Sequence, residues 1–85
     1  MKSCSITEEE MNKIYKIIGQ NVKRIRTSKN ISQLSLALAI GHKAVGTISM
    51  AELNINKKHF NIEHLVKIAN VLEVDISEFF KNISK

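Results

Sequence analysis

An all-α fold is predicted by three features of this chain: four polar residues placed to cap helices, apolar residues recurring at steps of three and four behind them, and no proline anywhere in the 85 residues. Thr7, Ser32, Asn61 and Asp75 each follow an apolar residue and precede another four positions on, which is the spacing of a hydrophobic staple. Strand-like alternation, internal repeats and low-complexity tracts are all missing from the sequence.

The first helix starts at Thr7, with Glu10 at the distance of a capping box, and carries one apolar stripe through Met11, Tyr15, Ile18, Val22 and Ile25. Gly19 interrupts the stripe at a helix cost of ~1 kcal/mol, and one long helix that tolerates it is the reading adopted. Asn30 ends it, because asparagine enters the left-handed region more readily than other residues with a side chain. A second helix opens at Ser32, whose hydroxyl can accept from an orphan N–H of the first turn. Ala37 allows a close neighbour, and Gly41 follows Ile40 where a chain leaving a helix needs positive φ. Ile48, Ser49 and Glu52 belong to a third helix, so residues of about 32–53 read as two short helices joined by a turn. The fourth helix sets Ile62, Leu65, Ile68, Ala69 and Leu72 on one face, and a fifth sets out Ile76, Phe79, Phe80 and Ile83 behind Asp75, with Glu78 at capping-box distance.

Length allows one small domain, taken as residues 1–85. Lys and Arg number 13 against 8 Asp and Glu, giving a formal charge of +5 and a pI near 9.6, which favours an acidic partner. Cys4 is the single cysteine and excludes an intramolecular disulfide framework, consistent with a reducing cytoplasm. Apolar runs fall short of the ~20 residues of a membrane span, and Met1 to Ser5 lack the regions of a secretion signal, so a cytoplasmic location is expected. Catalysis finds little support, since the acidic residues mostly occupy first helical turns and no nucleophile–base spacing is recognisable. His59 and His64 read as surface histidines, and no metal or cofactor is expected.

Ile31-Ser32-Gln33-Leu34, Leu36-Ala37, Gly41, Ile48-Ser49 and Glu52 together resemble the helix-turn-helix of the lambda repressor and Cro-like group, the XRE family of bacterial and phage transcription regulators. Ile18-Gly19 with Ile25-Arg26 resembles the family's first helix, Leu65 to Ala69 with Leu72-Glu73-Val74 its fourth, and Asp75 to Phe80 the start of its fifth. The resemblance implies a five-helix lambda repressor-like domain whose first helix is extended by residues 1–17. It implies a sequence-specific DNA-binding regulator, a repressor of phage, prophage or mobile-element type, acting as a dimer on double-stranded operator DNA. The competing function is a protein-interaction module on the same fold, an antitoxin or anti-repressor. No small-molecule ligand is expected, there being no second domain to sense one.

By that resemblance Gln33 donates its amide to a phosphate at the start of the second helix. The recognition helix lies within Lys43 to Leu53, turning Ile48 and Ala51 inward and leaving Lys43, Ala44, Thr47, Ser49 and Met50 toward the bases. Lys57 and Lys58 match basic phosphate contacts of relatives, the alternative being a solvated loop pair. Arg26 and Glu52 match a structural ion pair. Gly41 to Ile48 is one residue longer than the usual interval, so the third helix starts either near Lys43 or after Gly46, with Thr47 as its cap. Leu34 and Leu38 stand where relatives are often polar and either pack against the extension or form a partner surface. The dimer interface falls to the extended first helix or to the tail from Phe79 to Ile83.

Overall fold

In a computed structural model, in which residues 1–41 and 45–83 are described, the chain forms four α-helices: α1 (Glu8–Ser28), α2 (Gln33–Ala39), α3 (Val45–Leu53) and α4 (Ile62–Leu72). A 3-10 helix, Ile76–Phe80, follows them, and no strand occurs among the described residues. Ile18, Val22 and Ile25 of α1 meet Leu36, Ile48, Leu65, Ile68 and Phe79 in one hydrophobic core. α1 packs across α3 and the 3-10 helix, while α2 lies against α3 and α4.

Local chemistry sets most of the boundaries. Thr7 and Glu10 form a reciprocal capping box, and Ser32 accepts from the Ser35 N–H at 3.0 Å. α1 closes with the Ile31 N–H on the Arg26 carbonyl at 3.1 Å and the Asn30 N–H on that of Thr27 at 3.0 Å, Asn30 standing at φ 59°. Gly41 takes φ 83° after α2, and Asn54 takes φ 53° after α3. Asn61 caps α4 in a second reciprocal box, in which His64 Nδ1 accepts from the Asn61 N–H at 3.2 Å. Sequence spacing had reserved such boxes for acidic partners.

Four expectations are revised. The fifth helix is a single 3-10 segment, because the side-chain amide of buried Asn21 donates to the carbonyls of both Phe79 and Lys81 at 2.9 Å and draws the chain off an α-helical path. Asp75 accepts from the Ser77 N–H at 2.8 Å, but Glu78 makes no box with it: the Glu78 carboxylate pairs with Lys81 Nζ at 3.0 Å instead. Ile6 is 55% exposed, so it adds little to the start of α1. Leu34 and Leu38 do not pack beneath the extension either, being 56% and 65% exposed.

α1 is one continuous helix through Gly19, and the glycine has a reason. A Cβ added there would stand 2.6 Å from the Ala51 carbonyl oxygen and nearer still to that of Glu52, so α1 and the end of α3 approach backbone to backbone. Gly19→Ala should therefore destabilise by about 1–3 kcal/mol in urea denaturation, although helix propensity alone favours alanine. Gly46→Ala should lose nothing, since its added Cβ meets only the Met50 methyl at 3.8 Å.

Hydrogen bonds from the Thr7 backbone N–H and hydroxyl, with Lys13 nearby, hold the Glu10 carboxyl below its usual value, and the Ser77 N–H and hydroxyl do the same for Asp75. Both caps contribute fully above the ordinary carboxylate range and lose that contribution as pH falls through the lowered folded values. In an acid titration, the Thr7 and Ser77 amide chemical shifts should move with midpoints below the ordinary carboxylate values.

Candidate nucleic-acid interface

The surface formed by α2 and α3 is oriented by a buried ion pair. Arg26, near the end of α1, donates Nε to Glu52 Oε2 at 2.7 Å and Nη2 to Glu52 Oε1 at 3.0 Å, and its Nη1 reaches the Ile31 carbonyl at 2.8 Å. The two side chains are 7% and 1% exposed. Gln33, at the first turn of α2, donates Nε2 to Glu52 Oε1 at 2.9 Å. Because a carboxylate only accepts, it fixes the amide's orientation, and one N–H of that amide is left for an acceptor outside. Three helices thus converge on one carboxylate. Among the described residues no buried side-chain nitrogen or oxygen lacks a partner.

α3 is a helix from Val45, so Thr47 lies within it and does not cap it. Ile48 and Ala51 turn into the core at 1% exposure each. Gly46, Met50 and Leu53 then share the outward line at i, i+4 and i+7, with Ser49 on one flank and Thr47 on the other. Met50 Sδ accepts from Asn56 Nδ2 at 3.5 Å, which draws that side chain toward the loop after α3. Lys43 and Ala44 lie outside the described residues. Leu53, 48% exposed on the same line as Met50, was not among the residues predicted to face DNA. Its i+3 spacing from Met50 is the signal that places it there.

Lys57 and Lys58 are exposed in the loop between α3 and α4, with Lys57 at φ 57° and the Lys58 N–H donating to the Ile55 carbonyl at 2.9 Å. The loop is tied to α1 at both ends. Asn54 Nδ2 donates to the Asn12 carbonyl at 3.2 Å, and the His59 ring stacks on Tyr15 with centroids 3.7 Å apart and planes 12° from parallel. Neither tie was foreseen, since nothing local in the sequence pairs residues so far apart. Lys23 and Arg24 on α1, with Lys29 just past its end, are exposed basic residues.

A family model described as helix-turn-helix matches residues 22–79. No curated protein and no solved structure matches the chain. Among the described residues no helix is long and apolar enough to cross a membrane, and no cluster of His, Cys, Asp and Glu is arranged to hold a metal ion.

Glu52→Gln or Arg26→Met should each cost about 3–5 kcal/mol in chemical denaturation, because either leaves a buried charge uncompensated. The double variant Arg26→Met/Glu52→Met should lose less than the sum of the two.

Proposed function

Since the match over residues 22–79 shows that the chain belongs to the XRE family of helix-turn-helix DNA-binding regulators, we propose that it is a sequence-specific repressor of phage, prophage or mobile-element type, binding operator DNA as a dimer in the cytoplasm. The observation that carries this reading is the buried Arg26–Glu52–Gln33 network, which holds α3 against α2 as a rigid outward helix beside an exposed lysine pair. A rigid helix of this size suits the major groove.

Gln33 gives its remaining amide N–H to a phosphate, and Lys57 and Lys58 neutralise phosphates on the flank. Thr47 and Ser49 offer hydroxyls to base edges, Met50 completes the reading surface of the described helix, and Lys43 and Ala44, which precede Val45 in the sequence, are proposed as further base contacts. Apolar groups there suit the methyl of thymine. So few polar readers make the backbone contacts the larger source of affinity. Two copies double the readout by occupying half-sites about one helical turn apart.

A second reading is favoured by the exposure of Leu34 and Leu38, an apolar pair one turn apart on α2: a module that binds another protein through the same fold. Fluorescence anisotropy separates the two. One duplex from the region upstream of the protein's own gene should bind at least ~1000-fold more tightly than scrambled duplexes. Lys57→Ala should reduce the slope of log affinity against log salt by about 0.9, whereas Gln33→Ala, which removes a neutral donor, should weaken binding and leave that slope unchanged. Equal, weak affinity for every duplex would remove the operator, and no binding at low salt would leave the protein-interaction module.

A further inference from the structure

The family match begins at Val22, yet α1 begins at Glu8, and one face of the added stretch of helix meets the chain that leaves α3. Asn12, Tyr15, Gly19, Val22 and Arg26 follow one another at steps of three and four, a single seam along α1. Its C-terminal end holds the Glu52 carboxylate, and its middle admits the carbonyls of Ala51 and Glu52 against Gly19. Toward its N-terminus the Asn12 carbonyl takes the Asn54 amide, and the Tyr15 ring takes the face of His59. The seam therefore follows the chain out of α3 and grips the first and last residues of the loop 54–59.

That loop carries Lys57 and Lys58, and three of its residues, Asn54, Asn56 and Lys57, stand in the left-handed region. A lysine is poorly suited to that region and keeps it only where the surroundings over-determine the backbone. The two ties to α1 supply the constraint. A loop fixed in advance also spares the lysines part of the ordering cost that a free loop meets on binding.

We infer that the N-terminal half of α1 is a positioning strut for the DNA-backbone contact, with Tyr15 and His59 as positioning residues that act through Lys57 and Lys58. This inference rests on the DNA-binding reading above. Its surface of action is the phosphate backbone, so the strut raises affinity for all duplexes alike and leaves base preference unchanged.

The test is a double-mutant cycle on the full chain, read by anisotropy with one operator-type and one scrambled duplex. His59→Ala and Tyr15→Ala should weaken binding to both duplexes by roughly threefold to tenfold. Tyr15→Phe, which keeps the stacking ring, should bind as the unaltered protein does. In a Lys57→Ala/Lys58→Ala background, His59→Ala should have no further effect. Far-UV circular dichroism reports folding, and His59→Ala, on the exposed loop, breaks the stack without altering α1 should Tyr15→Ala unfold.

Undiminished affinity in His59→Ala would overturn the strut, as would an equal loss with and without the two lysines, which would mark general loosening of the fold. Operator binding that is insensitive to Lys57→Ala/Lys58→Ala would overturn the strut and leave the regulator standing. Failure of the unaltered protein to bind either duplex would overturn both.

Discussion

The Glu52 carboxylate is the point on which the arrangement of α1, α2 and α3 depends. Burying it is costly, and that cost is offset only because the Arg26 guanidinium meets it as a fork and the Gln33 amide supplies a third donor. Each donor comes from a different helix than the acceptor. A hydrophobic contact at the same place would tolerate sliding, whereas these bonds fix the relative rotation of the helices. Gly19 complements them by letting the α3 exit lie against the α1 backbone, so the angle of α3 is set by a close approach and by directed bonds together.

That rigidity matters because the outward face of α3 has little directional chemistry of its own. Gly46 and Met50, both half-buried, and the exposed Leu53 make up the outward line, with two hydroxyls on the flanks. In such a surface, shape and position stand in for a dense set of hydrogen bonds. The exposed basic residues among those described lie elsewhere, on the loop after α3 and along α1.

What could be read from the sequence was what local chemistry decides. The caps at Thr7, Ser32, Asn61 and Asp75 and the left-handed turns at Asn30 and Gly41 each depend on residues within a few positions, so the order of the first four helices and the starts of all but the third were legible. The rest depends on partners far along the chain. Gly19 reads as a helix flaw until the α3 carbonyls are beside it. The 3-10 form of residues 76–80 comes from Asn21, and Glu78 follows Lys81 rather than its cap. Of the residues predicted to face DNA, Met50 lies on the outward line, Thr47 and Ser49 fall on opposite flanks, and Lys43 and Ala44 lie outside the described residues. His64 is the local exception: three residues past its cap, its imidazole accepts where the Thr7 box has a carboxylate.

Asn21 has a consequence for how the chain acquires its structure. Its amide sits in the middle of α1, yet both of its acceptors are carbonyls 58 and 60 residues further on. Until those carbonyls arrive, α1 must keep a polar group in water on the side where Ile18, Val22 and Ile25 are to be buried. Burial of that face of α1 at no polar cost therefore requires the C-terminal turn to be in place. Loss of the turn after residue 76 would accordingly leave a buried amide in the middle of α1 without its acceptors, so the two ends of the chain are coupled through one side chain.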